Sequence, residues 1–452
     1  MDDNRPQLIR GLGPWQAASL VVGTIIGTGV FLKTAVMAQL GGSPAWVLAA
    51  WGVAGLLSLA GALTYAELGA MYPDAGGEYV YLREGWGRFF GFLYGWTRFW
   101  IGTPGSIAAY AVGTATFLAA VLPSGTDRNV VALGMIFVFT VINCLNVRAG
   151  GGVQAALTAL KVVLIAALAI GALAAPSGSW DNVRQGGGFP GASAFGLMVL
   201  AALWAYDGWN NLPMAAGEVR DPSKNLPRAL IGGSLAVFAI YAAVNLGYFH
   251  ALPFSEVITS SSTKFPNAPP IAAKVASQFL GTTTQVLLAC AMALSALSAM
   301  NGSMLTGARV PYAVASDGLA PKALARLSLG ARVPRTAVIV QGAWASVLAL
   351  SGRFDQLTDA VVFASWLFYA LNAGSVLLLR RRLPDRPRPF RVPGFPFVPL
   401  MFVLLASLLL VNTLVTAPRE SLFGVGMMAL GAVVYVVFIR RRGGSRIRRV
   451  SP

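Results

Sequence analysis

From Val22 to Phe31 the chain reads Val-Gly-Thr-Ile-Ile-Gly-Thr-Gly-Val-Phe, inside an apolar segment that runs from Trp15 to about Met37. That segment is long enough to cross a bilayer as a helix. The glycines at 23, 27 and 29 weaken it where a spanning helix should be most regular. In hydrocarbon an unpaired backbone group costs several kcal/mol, so an interrupted helix persists there only where it lines a cavity or is buried in protein. The chemistry on offer is anion binding, because the second half of a broken helix presents free N–H groups and the positive end of its dipole. Gly27, Thr28 and Gly29 are therefore expected to hold the carboxylate of a small substrate.

A second interruption falls at Ala202-Leu203-Trp204-Ala205-Tyr206-Asp207-Gly208-Trp209-Asn210-Asn211, followed by Pro213. An aspartate and a glycine between tryptophans make a poor helix interior, and Asp207 is itself costly at membrane depth. Paired interruptions at corresponding positions of two halves are the best sequence pointer to the site of an inverted-repeat transporter. Carbonyls freed at Ile25, Trp204 and Asp207 can accept from an ammonium, so the two breaks together suit an α-amino acid. Trp204, Ala205, Asp207, Gly208 and Asn210 are the candidates on the second side. The Asp207 carboxylate has two open roles: reaching a cationic side chain, which favours arginine or lysine, or capping the second half-helix.

Three other charges lie in or beside apolar segments. Lys161, in Thr158-Ala159-Leu160-Lys161-Val162, is too deep to reach water easily. It can supply fixed positive charge where another transporter binds a cation, or load and release a proton. Arg98, in Gly95-Trp96-Thr97-Arg98-Phe99-Trp100, costs roughly 2.5–3.5 kcal/mol at mid-helix, so it should face the bundle interior or snorkel, with Trp96 and Trp100 placed to stack on it. Its role is structural pairing or gating. Glu67 either pairs with a nearby arginine at a loop or gates. His250 reads as an interfacial histidine rather than a proton relay, and Cys144 and Cys290 as buried spectators.

The elements that position these residues follow from composition. Of 452 residues 56% are hydrophobic and 11% charged, with a mean hydropathy of +0.65, values foreign to a water-soluble chain of this length. Apolar runs place twelve spans near 13–37, 44–72, 87–122, 129–147, 150–175, 193–214, 228–250, 270–300, 335–351, 355–380, 396–416 and 420–440. The first is expected to be a retained helix and not a signal peptide. The net charge of +17 sorts across these spans: 25 Lys and Arg fall on the side of both termini and 7 on the other, with Arg98 and Lys161 inside. The positive-inside rule then makes both termini cytoplasmic. The basic balance is a topological signal with some affinity for anionic membrane lipid, and no nucleic-acid partner is expected.

In order along the chain, Gly23 to Phe31, Tyr65-Ala66-Glu67-Leu68, Trp204 to Asn210, Gly217-Glu218-Val219-Arg220-Asp221-Pro222, Met300-Asn301-Gly302-Ser303 and Arg309 to Pro321 resemble the L-type amino acid transporters of the amino acid–polyamine–organocation superfamily. The resemblance covers roughly residues 11 to 395. It implies an all-α polytopic membrane protein of the leucine-transporter-type fold, with alternating access about a central site. The expected parts are a tail (1–12), a first inverted repeat of five spans (13–175), a second (193–380), two appended spans (396–440) and a basic tail (441–452). By the same resemblance helices 1 and 6 are broken, Trp204 is an outer gate, Lys161 replaces a sodium ion, and Ser365 to Tyr369, with Trp366, walls the side-chain pocket. Animal members carry a cysteine between spans three and four that ties them to a glycoprotein subunit. Pro123 to Arg128 has none, so no disulfide-linked partner is expected.

One histidine, no cysteine pair and no carboxylate cluster leave little for metal or nucleophilic chemistry, so no cofactor and no enzymatic activity are expected. The leading reading is a sodium-independent exchanger of neutral L-amino acids in a bacterial plasma membrane. A proton-coupled importer that accepts cationic amino acids through Asp207 is the alternative, and a non-transporting sensor the third. The last two spans are expected to pack, or to pair into a homodimer, rather than transport.

Overall fold

A computed structural model describes residues 8–439 except 119, 120, 124, 263, 266, 267, 282, 283, 352, 353 and 417, so the tail expected at 441–452 lies outside the described residues. The chain is helical along its length, and one isolated parallel bridge joins Leu12 to Val219. In order the helices are α1 (Pro14–Ile25), α2 (Gly29–Ala38), α3 (Pro44–Met71), α4 (Glu78–Trp86), α5 (Arg88–Thr97), a π-helical turn Arg98–Gly102, α6 (Thr103–Leu118), α7 (Arg128–Leu145), α8 (Val147–Leu173) and α9 (Trp180–Arg184). There follow α10 (Ala192–Ala205), α11 (Asn211–Met214), α12 (Pro222–Ala251), α13 (Phe254–Ile258), α14 (Ile271–Leu280), α15 (Thr284–Gly307), α16 (Arg309–Ser316), α17 (Arg335–Leu350), α18 (Phe354–Arg382), α19 (Phe397–Thr416) and α20 (Pro418–Val434).

Among the described residues seven helical stretches are long and apolar enough to cross a membrane: Pro14–Ala38, Pro44–Met71, Arg128–Leu145, Val147–Leu173, Pro222–Ala251, Val286–Ser316 and Phe397–Val415. Pro14, Pro44 and Pro222 open their helices at the first position, where the missing N–H is no loss. Asn146 ends α7 in an extended conformation, and its side chain caps α8 by accepting from the Ala149 N–H at 2.8 Å.

Both interruptions occur. The first helix stops at Ile25 and resumes at Gly29, and the sixth stops at Ala205 and resumes at Asn211. The span expected at 270–300 is instead two helices, because the chain passes through Gly281 at φ +61, a left-handed turn that ends α14. After α15 the chain forms α16 and a 3₁₀ turn, Lys322–Ala325. Cys290 is exposed on α15 and Cys144 is half-buried against the edge of a hydrophobic cluster, which corrects the expectation that both are buried.

Candidate functional site

In the first break Ile26 turns extended (φ −72, ψ 93) and Gly27 and Thr28 lead into α2, where the Phe31 N–H donates to the Thr28 oxygen at 3.1 Å and the N–H groups ahead of it lie before the intrahelical ladder begins. A Cβ added at Gly27 would meet nothing nearer than the Ile25 carbonyl oxygen at 4.0 Å, so Gly27 borders open space.

The second break packs directly on the first. Gly208 has φ +123, and a Cβ there would lie 2.6 Å from the Thr24 carbonyl oxygen and 3.0 Å from the Ile25 nitrogen. The Thr24 hydroxyl is 2.8 Å from the Gly208 carbonyl oxygen. At Gly29 a Cβ would fall 2.5 Å from that of Ala205. The two interrupted backbones therefore touch, and only glycine permits it.

The freed carbonyls are partly satisfied from outside the two helices. Lys161, 1% exposed on α8, donates from Nζ to the Gly23 oxygen at 2.8 Å and also to the Ile26 oxygen. Ser295 Oγ lies 2.9 Å from the Gly27 oxygen. Tyr241 Oη on α12 bridges the breaks, 3.0 Å from the Ala205 oxygen and 3.3 Å from that of Ile25. Of the three carbonyls expected to take an ammonium, Ile25 thus already has Tyr241, and Trp204 accepts the Asp207 N–H at 3.4 Å. Each carbonyl keeps a second lone pair.

The other candidates separate. Asp207 stays at the break, with Oδ1 accepting from Tyr369 Oη at 2.8 Å, and Trp366 packs edge-on against Tyr369 with centroids 5.4 Å apart. Trp204 lies beneath Lys33, whose Nζ is 4.5 Å from the ring centroid. Asn210 faces elsewhere, since its amide donates to Glu78 Oε2 at 3.2 Å. Arg98 donates to Asn211 Oδ1 at 2.7 Å, and neither neighbouring tryptophan stacks on it. Trp96 Nε1 donates to the Met427 oxygen of α20, and Trp100 packs on Trp344, 5.7 Å between centroids. Glu67 is paired, its carboxylate receiving Arg380 at 2.6 and 2.9 Å and the Val392 N–H at 2.7 Å. His250 Nδ1 lies 3.2 Å from the Ala172 oxygen.

Sequence reasoning missed Glu78. Gly76 and Gly77, both at positive φ, fold the segment after α3 back under the second break, where the Gly76 N–H donates to the Met214 oxygen at 2.8 Å. Glu78 is thereby wholly buried and accepts from Tyr65 Oη at 2.7 Å, Tyr94 Oη at 2.5 Å and Asn210. A carboxylate beside Gly-Gly and among tyrosines reads as a solvated loop, and only the fold turns it inward. Tyr241 and Ser295 were missed because one hydroxyl in an apolar helix carries no positional signal. Glu78→Gln loses at least one bond to a charged acceptor, about 1.5–3 kcal/mol. Its thermal unfolding midpoint should drop by several degrees, and an unchanged melting curve would show that the network is idle.

The segment before α1 is tied to the chain that follows α11. The Leu12 N–H donates to the Glu218 oxygen and the Arg220 N–H to the Leu12 oxygen, both at 2.9 Å. Beside them Arg309 and Glu218, each 1% exposed, form a two-pronged ion pair at 2.6 and 2.9 Å.

A family model described as amino acid permease matches residues 12–439. The serine/threonine exchanger SteT of Bacillus subtilis is 32% identical over 442 residues, covering 96% of this chain and 98% of its own. The b(0,+)-type amino acid transporter 1 of Mus musculus is 30% identical over 446 residues (97% and 89%). The large neutral amino acids transporter small subunit 2 of Oryctolagus cuniculus is 28% identical over 443 residues (95% and 80%).

Proposed function

The chain belongs to the amino acid permease family, and from that premise we propose that this multi-pass membrane transporter exchanges neutral L-amino acids across a bacterial plasma membrane, independently of sodium and by alternating access. The proposed frame is five plus five inverted spans with two appended, both termini cytoplasmic. The carrying observation is the contact between two broken helices, which leaves open space at Gly27, beside the main-chain groups of Thr28 and Gly29, while carbonyls of both breaks lie alongside. Those groups suit the two ends of a zwitterion. The exchange reading draws on SteT, named a serine/threonine exchanger.

Sodium independence is supported by Lys161. Its ammonium donates to two main-chain carbonyls of the first break, the ligand type a small cation would use. Uptake of labelled serine into proteoliposomes tests the whole reading. Preloading with unlabelled amino acid should stimulate it, and replacing sodium by potassium should leave it unchanged. Equal uptake into empty and preloaded vesicles would exclude exchange. Competition by alanine, leucine, serine, glutamate and arginine then defines the preferred side chain.

Asp207 accepts from Tyr369 rather than capping α11, whose N-cap is Asn210, and that engagement weighs against a contact with a cationic substrate. Asp207→Asn keeps an oxygen for that hydroxyl. It should retain uptake of small neutral amino acids to within about threefold, the loss of one charge-assisted bond traded for a neutral one. Complete loss of transport in a correctly inserted variant would overturn this assignment.

A further inference from the structure

Helix α19 follows the arginine-rich stretch from Arg380 to Arg391 and exposes Met401 and Leu404, yet Phe402 between them is fully buried. Its ring enters the bundle at Gly61 of α3. A Cβ added at Gly61 would lie 2.6 Å from Phe402 Cε2 and 2.7 Å from Trp209 Cζ2, so a slot one side chain deep holds the edges of both rings. Phe402 meets Trp209 at 6.1 Å and 72° between centroids and planes, and Trp366 at 6.2 Å and 35°. Trp209 stands in the second break between Gly208 and Asn210, held on its other sides by Tyr65 at 4.7 Å and Tyr369 at 5.5 Å. Trp366 packs against the same Tyr369 that donates to Asp207.

We infer that Phe402 is a positioning residue for the amino acid site: a helix outside the two five-span halves supplies the ring that fixes Trp209, and through it the backbone of the second break. The inference rests on the transporter reading above. Gly208 touches the backbone of the first break, so a tilt of Trp209 has nowhere to dissipate. It alters the spacing of the two breaks and therefore the affinity for whatever they grip. A purely structural ring would set the amount of folded protein and leave the affinity of each folded copy unchanged.

The test is uptake of labelled serine by purified, reconstituted protein across a range of concentrations. Phe402→Leu should raise the apparent KM about fivefold or more, since two aromatic contacts are lost. Leu404→Ala, on the exposed face of the same helix, should leave KM unchanged. Gly61→Ala pushes on both rings and should also raise KM, but less so when Phe402 is already leucine, because the smaller side chain makes room for the new methyl. A KM for Phe402→Leu within twofold of the parent, or KM increases for the two substitutions that simply multiply, would overturn the inference. Should the leucine variant not be recovered monodisperse, Phe402→Met carries the same expectation and the same refutation. Absence of uptake in the parent protein refutes the transporter reading instead, which keeps the two failures apart.

Discussion

Gly208→Ala abolishes amino acid uptake, with a loss on the order of a hundredfold or more. Two costs combine. The φ of +123 is one that residues with a Cβ rarely adopt, worth about 1–3 kcal/mol. The new methyl would also sit 2.6 Å from the Thr24 carbonyl oxygen, and the atoms it strikes are main chain, which cannot rotate aside. The breaks must separate, and with about 1.4 kcal/mol for each tenfold the affinity collapses. Gly27→Ala is the informative contrast. Its methyl meets no protein atom within 4.0 Å of concern to folding, so the melting curve should be unchanged. If a substrate carboxylate occupies that space, uptake is lost all the same. Normal uptake by correctly inserted Gly27→Ala would remove the carboxylate site from the first break.

Lys161→Ala should lose transport at least tenfold, with or without an imposed proton gradient. The ammonium donates to the Gly23 and Ile26 oxygens, and stranding a buried acceptor costs about 1–3 kcal/mol. Both acceptors belong to the first break, so the loss falls on the site and not on distant packing. The measurement is exchange and gradient-driven uptake in the same proteoliposomes. Loss of both marks a fixed charge that holds the break open. Retained exchange with lost gradient-driven uptake would mark a proton carrier instead.

Much of this architecture was legible in the sequence, because glycines and a buried aspartate are expensive in hydrocarbon and so mark where helices stop. Gly27, Gly29, Asp207 and Gly208 announced both breaks, and the uninterrupted apolar runs announced several of the long spanning helices. Lys161 stood out for the same reason, as a charge with no nearby water. What stayed hidden depends on the third dimension. Asn210 belongs to the second break by position, yet it turns toward Glu78, whose own burial is created by a glycine turn. Trp96 and Trp100 flank Arg98 in sequence, but on a helix residues two apart point to different sides, and these two reach α20 and α17. Glu67 illustrates the reverse: its arginine partner lies more than 300 residues away, and only the prior that buried carboxylates are paired suggested it.

The strip joining Leu12 to Glu218 and Arg220 has a mechanical corollary. Main-chain bonds between extended segments can be undone one at a time, whereas Arg309 and Glu218, sealed from water, part only together and at high cost. Under the alternating-access cycle proposed above, the seam should therefore unzip from its Leu12 edge while α16 keeps its grip on Glu218. The rate at which cargo is released on that side would then be governed by a few residues that never touch it.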